Sequence, residues 1–467
     1  MISPSIAFFA WVPISLFFFW RYPLRVAILV NFLAGAALLP SAAYTPTTVT
    51  FPYWILGTCL PSTHFFTKAT VTGMTGLVGI LLFDRKSFNR FQLGFWDLPM
   101  LVWCTVPLLS ALANAQELAA AVRSELYQIL AWGVPYLIGR LYFTDAESWK
   151  LAAKAFVIAG IAYVPICLTE IFTGPQLYAH LYGYQPYRWI GAQRYIGFRP
   201  IGLLEDGNQL GIWMATSALI AIWLWRRRIV DRLLGIPASW ISGGLLCVTL
   251  LCQSAGSIVL LLCLLPFVWF RKSDLPRAVI GLVLLMVLGF MALRLGNVVS
   301  LQTLVKQNNV ARSAANSLKS IQRGSFGWRL SQDEKYVGLA LEKPLLGSGE
   351  WDWWKGGATR PWGLWLLTFG MYGLAGLIAL ECIQLVPVAR IFWSPHSNSD
   401  PSILDLQSAL AGAILMSAID NLLNGSMILP LLLVIGGLSA PSFAASANRV
   451  PTGMRRSVEA AGISRRR

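Results

Sequence analysis

Charged residues are scarce in this sequence of 467 residues. Asp, Glu, Lys and Arg together make up 12% of it, whereas an ordinary soluble domain has about a quarter. Hydrophobic residues make up 56%, which is more than a soluble domain can hide from water. They come in separated runs of roughly 20 residues, the length that an α-helix needs to cross a ~30 Å hydrocarbon core. The sequence therefore predicts an all-α fold, a polytopic transmembrane helical bundle.

Histidine and cysteine are also sparse. The three histidines are His64, His180 and His396, too few for a metal site that needs several imidazoles. Of the seven cysteines, only Cys59 lies in a polar connection, so neither a disulfide framework nor a zinc site is predicted. No Walker loop, serine-hydrolase elbow or metal-binding histidine pair is present. We therefore expect no cofactor and no metal site built from histidine or cysteine. A divalent ion bound by carboxylates stays an alternative.

Positive charge, in contrast, is in excess, with a net charge of +16. In a membrane chain such an excess indicates orientation and contact with phospholipids, and it argues against nucleic acid as a partner. The apolar runs predict about 12–13 spans, ten of them within residues 1–294 and the others within 361–444. Every second connection between predicted spans is rich in Lys and Arg, which is typical of cytoplasmic connections. Continuing this alternation predicts that the basic tail 445–467 is cytoplasmic. The predicted spans are 4–20, 25–41, 69–83, 95–112, 124–142, 150–171, 208–225, 233–251, 254–270, 278–294, 361–390, 404–423 and 427–444.

On the opposite face, positive charge gathers in the loop 172–207. Arg188, Arg194 and Arg199 alternate there with tyrosine and tryptophan. Arginine binds phosphate through a planar fork, and aromatic faces stack on sugar rings, so the loop predicts a site for a lipid-linked phosphate and sugar. The same residues also fit a simpler interpretation, as anchors at the membrane interface. Asp206 or Asn208 is expected to cap the helix that follows.

The segment 295–360 is predicted as one large extracytoplasmic loop. It is too polar to span, and loops of this length are usually functional or disordered. We expect an amphipathic helix over 302–323 and a second helix over 326–346. Arg329 and Arg360 lie at predicted helix starts, where backbone N–H groups favour anions. Together with Arg194 and Arg199 of the loop 172–207, they are predicted to bind one diphosphate.

Candidate acids and sugar-binding aromatics follow from the same loops. Glu350 and Asp352 are predicted to supply the general base or to bind a divalent ion, and the pair Glu205 and Asp206 is an alternative. Solvated carboxylates that pair with nearby arginines explain them equally well. Intramembrane acids such as Glu381 and Asp420 are functional candidates by default. Sugar stacking is expected from three aromatics: Trp351, Trp353 and Tyr195.

The order of these features resembles the O-antigen ligase and polysaccharide polymerase superfamily. The resemblance lies in the segment 199–211 entering a span, in Trp328-Arg329 followed by the Pro-Leu-Leu-Gly-Ser-Gly turn at 344–349, and in the glycine series at 370–376. It implies a GT-C-like membrane glycosyltransferase. It also implies that a sugar hydroxyl attacks an undecaprenyl-diphosphate-linked glycan, with inversion and without a nucleotide sugar, while Arg199 and Arg329 bind phosphate.

Two departures from the family pattern bear on activity. Thr359, followed by Arg360, stands where the ligases have a histidine, and Ser254-Ala255-Gly256 replaces a Ser-Arg-Gly turn. If that histidine is the ligase base, this chain uses another base, is a polymerase-like relative, or has lost activity.

The resemblance, together with the arginine-rich loops, thus implies a glycosyltransferase of the bacterial inner membrane that polymerises or ligates undecaprenyl-diphosphate-linked glycan on the extracytoplasmic face, with polymerase preferred. Its expected partners are a lipid-linked oligosaccharide, a glycan or lipid acceptor, membrane phospholipids and other polysaccharide-assembly proteins. A lipid-linked glycan transporter or flippase, and a noncatalytic scaffold for polysaccharide assembly, are the alternatives.

Overall fold

A computed structural model describes residues 1–42, 58–184, 193–270, 275–296, 309, 313, 325–355, 360–393 and 401–440. Of the predicted amphipathic helix over 302–323, only residues 309 and 313 are described. Arg188 and the tail 445–467 lie outside the described residues. The described part is mainly helical, and its two short strands form one hairpin.

Helices lie on all of the predicted spans. In chain order they are α1 Pro4–Arg21, α2 Leu24–Leu38, α3 Lys68–Phe83, α4 Leu98–Ala113, α5 Leu118–Gln128, α6 Val134–Tyr142, α7 Ala146–Thr173, α8 Leu177–Tyr182, α9 Gly207–Arg226, α10 Ala238–Leu251, α11 Ala255–Phe270, α12 Leu275–Leu295, α13 Ser325–Ala340, α14 Leu364–Trp393, α15 Pro401–Asp420 and α16 Leu431–Leu438. A π-helical turn, Ile129–Gly133, joins α5 to α6, and strands β1 Arg232–Leu233 and β2 Ile236–Pro237 precede α10. Among the described helices, five are long and apolar enough to cross a membrane.

Helix α9 forms the centre of the bundle. Nearly all of its side chains are buried, and it packs against α7, α10, α11 and α15. At the periphery, α1 leaves large apolar side chains such as Phe9 and Trp20 exposed, as expected of a surface that faces lipid. Buried polar contacts join α1, α2 and α3, because Trp11 Nε1, Ser15 Oγ and Thr75 Oγ1 all donate to Asn31 Oδ1. Hydrogen bonds of this kind help to hold helices together in a membrane.

Helix α14 is broken at Gly373, although its apolar run predicts one continuous span. Gly373 has φ +62° and ψ −159°, a conformation open essentially to glycine alone. The turn 344–349 packs into this break, so the backbone groups freed there have partners. Four hydrogen bonds join the two segments: Leu374 N to Pro344 O at 2.8 Å, Ala375 N to Leu345 O at 3.1 Å, Ser348 N to Gly370 O at 3.0 Å and Gly349 N to Met371 O at 2.8 Å. The turn 344–349 and the glycine series 370–376 therefore pack against each other.

We expect Gly373→Ala to destabilise the protein by at least about 1–3 kcal/mol, the usual cost of an unfavourable backbone conformation. A Cβ at this position would also lie 2.3 Å from the carbonyl carbon of Leu345. Thermal unfolding of the purified protein measures the effect. Gly243→Ala in α10 is the control, since a Cβ there meets no atom within 4 Å. Equal unfolding temperatures for the two variants would contradict the interpretation.

The helix within the predicted span 427–444 is too short to cross a membrane by itself. The helix found there, α16, has 8 residues and covers only about 12 Å at 1.5 Å per residue. It begins after Pro430 and ends before Ser439. The irregular segment 421–430 before it is largely buried, which a membrane protein tolerates only where the backbone packs against protein or lines a cavity.

Two other predicted elements have different bounds. The helix predicted over 326–346 ends at Ala340, because the following residues form the turn that packs into α14. The span predicted over 233–251 begins with the hairpin of β1 and β2, so its helix starts only at Ala238.

Candidate functional site

Arg199 lies on an irregular segment just before α9. Its Nη2 donates to Asn208 Oδ1 at 2.5 Å and to Ser254 Oγ at 3.0 Å. The segment itself is held by Glu170 of α7, whose Oε2 accepts from the backbone N–H groups of Ile201 at 2.8 Å and Gly202 at 2.7 Å. The guanidinium of Arg199 is therefore fixed against the first turn of α9.

Asp206 is the N-cap of α9. Its Oδ1 accepts from the backbone N–H groups of Asn208 at 2.8 Å and Gln209 at 2.7 Å. Of the two predicted caps, Asp206 thus has this role, while the side chain of Asn208 accepts from Arg199. The cap also brings a carboxylate to the same turn as the arginine.

Arg329, from the first half of α13, approaches the end of α15. Its Nη1 donates to Asn424 Oδ1, and Asn424 Nδ2 donates in turn to Asp420 Oδ1 at 2.7 Å. Asp420 is 7% exposed and interacts electrostatically with Arg329, Arg199 and Asp206. Two arginines from distant parts of the sequence therefore act on one buried carboxylate.

Arg329 and Arg360 share the indole of Trp362. The guanidinium carbon of Arg360 is 3.9 Å from the ring centroid, and that of Arg329 is 5.6 Å from it. A second tryptophan, Trp328, packs edge-on against this ring with centroids 5.2 Å apart. Cation–π contacts of this kind position a guanidinium and leave its positive charge in place. Arg360 itself is 1% exposed, and its Nη1 donates to Pro361 O at 3.1 Å.

Asp333 fastens α13 to the start of α14. Its Oδ1 accepts from the backbone N–H of Trp362 at 2.6 Å, and its Oδ2 accepts from that of Gly363 at 3.3 Å. Burial raises the pKa of Asp333 to about 6, although these hydrogen bonds and the nearby Arg294 and Arg360 act in the opposite direction. The carboxylate thus keeps the Trp362 indole against the helix that carries Arg329.

This pKa predicts a pH-dependent contribution of Asp333 to stability. Because its folded-state pKa of about 6 exceeds the unfolded value of about 4, the folded protein takes up a proton as the pH falls through this window, and its stability relative to Asp333→Asn rises. Thermal unfolding of both proteins at pH 7.5 and pH 4.5 measures the change. A difference between wild type and variant that does not depend on pH would contradict the prediction.

Glu350 and Asp352 are not brought to the arginines. Both pair with Lys355, whose Nζ lies 2.6 Å from Glu350 Oε2 and 3.2 Å from Asp352 Oδ1. The carboxylates raise the pKa of Lys355, and the cluster is largely exposed. This arrangement matches the simpler of the two interpretations, solvated loop carboxylates with basic partners.

Two of the three predicted sugar-stacking aromatics, Trp351 and Trp353, pack against the same side chain, Trp354. Trp353 is buried, with its Nε1 donating to Leu367 O at 3.2 Å, so its faces are covered by protein. Trp351 packs edge-on against Trp354 at 6.2 Å. Tyr195 is 66% exposed.

Arg194 lies on the same turn as Tyr195, where its backbone N–H donates to Gly197 O at 2.9 Å. Its guanidinium Nη1 donates to Gln193 O at 3.2 Å. Neither contact joins Arg194 to the arginines around Asp420 and Trp362.

Sequence reasoning missed a buried ion pair on the other side of the α9 start. Lys68 Nζ lies 3.3 Å from Glu205 Oε1, and both side chains are at most 5% exposed. Glu205 also accepts from Thr58 Oγ1 and from Gln209 Nε2. These four side chains line a cavity of about 30 Å³, enough for about two water molecules. No sequence signal links Lys68 to Glu205, since only the fold brings them together.

The cluster formed by Arg199, Arg329, Arg360, Asp420 and Asn424, here called the arginine cluster, is suited to binding an anion. Its guanidinium groups are oriented by amides, a hydroxyl and an indole. Among the described residues, no group of three or more His, Cys, Asp or Glu side chains could hold a metal ion. No family model matches this chain, and neither a curated protein nor a solved structure matches it.

Proposed function

We propose that the protein is a membrane glycosyltransferase that uses a prenyl-diphosphate-linked glycan as donor. The observation that carries the proposal is that Arg329 and Arg360 lie on one indole. Arg329 is also joined through Asn424 to the buried Asp420, on which Arg199 acts electrostatically as well. The donor's leaving group is a diphosphate, which gains negative charge as its bond to the sugar breaks. Several fixed guanidinium groups stabilise such charge best where water is excluded.

In this proposal an acceptor hydroxyl attacks the anomeric carbon of the donor glycan. The diphosphate leaves with the electron pair of the broken bond and stays bound to Arg199 and Arg329. Trp362 keeps Arg329 and Arg360 on the same side of the site. The prenyl tail extends into the membrane beside the apolar helices, and the reaction takes place on the extracytoplasmic face of the bacterial inner membrane. Polymerisation is favoured over ligation because Thr359 stands in place of the ligases' histidine.

The break in α14 bears on the transporter alternative. Secondary transporters build substrate sites from discontinuous helices whose free ends contact the substrate. In α14, however, the freed backbone groups bond to the turn 344–349. The helix ends at Gly373 are therefore already occupied by the chain itself, which supports the enzyme over the transporter.

Purified protein supplied with a lipid-linked oligosaccharide tests the proposal. The enzyme should release prenyl diphosphate in step with glycan transfer. A transporter in vesicles moves the donor across the bilayer and leaves it intact, and a scaffold does neither. Intact donor after prolonged incubation, with a sugar acceptor of the same repeat present, would contradict the proposal.

A further inference from the structure

Asp420 occupies a distinctive position in the arginine cluster. It is the last residue of α15 and is buried, and the charged groups acting on it are Arg199 and Asp206 beside α9 and Arg329 of α13. Arg329 donates to Asn424, and it is Asn424 that donates to Asp420. The amide therefore separates the guanidinium of Arg329 from the carboxylate.

This separation leaves carboxylate lone pairs for another donor. Among the described residues, the side-chain hydrogen bond that Asp420 accepts is the one from Asn424 Nδ2 to Oδ1. A carboxylate offers about four acceptor positions. Asp420 can thus accept a hydrogen bond from a ligand hydroxyl while remaining attached to Asn424.

The other acids close to the arginines have structural contacts. Asp206 caps α9, Asp333 accepts two backbone N–H groups of the α14 start, and Glu205 pairs with Lys68. Each of these carboxylates holds a helix end or a buried cation. Of these four acids, Asp420 is the one whose described contacts leave acceptor positions for proton transfer.

We propose that Asp420 accepts the proton of the acceptor hydroxyl during transfer, an assignment that rests on the function proposed above. The hydroxyl oxygen bonds to the anomeric carbon, and the bond between that carbon and the diphosphate oxygen breaks. Its electron pair leaves with the prenyl diphosphate, and the hydroxyl proton passes to a carboxylate oxygen of Asp420. Because Asp420 becomes neutral as the diphosphate becomes more negative, repulsion beside the leaving group falls.

The test compares Asp420→Asn and Asp420→Glu with the wild type in the release of prenyl diphosphate, with kcat and the donor KM measured separately across pH. We expect Asp420→Asn to lower kcat by about a hundredfold or more, the usual contribution of a positioned base. Its donor KM should be unchanged or lower, since a negative charge near the diphosphate is removed. In the wild type, kcat should fall on acidification as the base is protonated, which gives the pH profile an acidic limb. Asp420→Glu should shift the pH at which this fall in kcat occurs.

Asp405→Asn is the matched control. It makes the same change near the opposite end of α15, where Asp405 Oδ1 lies 3.5 Å from Arg227 Nε, and it should retain wild-type kcat. An active wild type together with an Asp420→Asn protein of similar kcat overturns the assignment of Asp420 alone. If Asp420→Asn does not fold, an acidic limb that stays in place in Asp420→Glu overturns it. A wild type that releases no prenyl diphosphate overturns the proposed function itself.

Discussion

Arg329→Ala is expected to lower the rate of glycosyl transfer by about a hundredfold or more. Removing one group that stabilises developing negative charge in a closed site costs on the order of 2–4 kcal/mol. Arg329 is held by Asn424 and by the face of Trp362, so its charge is fixed before the donor arrives. The loss should therefore appear mainly in kcat.

The variant Arg329→Lys distinguishes the effect of the positive charge from the effect of the planar guanidinium group. Lysine keeps the positive charge but lacks the planar fork, so we expect an activity between those of wild type and Arg329→Ala. Arg232→Ala, an exposed arginine of the hairpin before α10, is the control and should transfer at the wild-type rate. Glycan chain length in cells with equal protein levels gives a second readout. Glycan of wild-type chain length from cells with Arg329→Ala would show that Arg329 is not part of the site.

Glu205→Gln is expected to destabilise the protein by about 3–5 kcal/mol, the usual cost of leaving one partner of a buried ion pair alone. Lys68 is the first residue of α3, where the helix dipole already disfavours a positive charge. Without the carboxylate, its ammonium group is buried with no opposite charge at 3.3 Å. Removing both charges in the double variant Lys68→Met with Glu205→Gln should restore much of the stability.

The pair of Lys355 and Glu350 provides the control for this prediction. Its ions are closer, at 2.6 Å, but its side chains are 61% and 46% exposed, so Glu350→Gln should change the unfolding free energy by at most about 1 kcal/mol. Unfolding in mixed micelles gives the energies for a double-mutant cycle. Equal costs for the buried and the exposed pair would contradict the account of Lys68 and Glu205.

The sequence is a good guide to where helices lie but a poor guide to where they break. Apolar runs mark the helices because burial in lipid or protein requires apolar side chains over their whole length. The same run continues through Gly373, so nothing in its hydropathy indicates the break there. The apolar residues after Pro430 similarly suggest a full span, whereas α16 stops after 8 residues.

For the candidate site, the sequence indicates residue types more readily than partners. Arg199, Arg329 and Arg360 could be selected because they lie in loops that the sequence predicts to be extracytoplasmic, where arginine is unusual. Asp420 stood out as an acid within a span. Asn424 carried no signal, since a lone asparagine in a connection normally suggests a turn. Its role depends on α13 and α15 meeting, which periodicity does not predict.

The most direct test of the account is the binding of prenyl diphosphate, the proposed leaving product, to purified wild type, Arg199→Ala and Arg329→Ala. If both arginines hold one diphosphate, each variant should bind it at least about tenfold more weakly, a loss of roughly 1.4 kcal/mol, while Arg232→Ala binds as the wild type does. Wild-type affinity in either arginine variant would show that the two guanidinium groups do not share a ligand, and it would contradict the central claim.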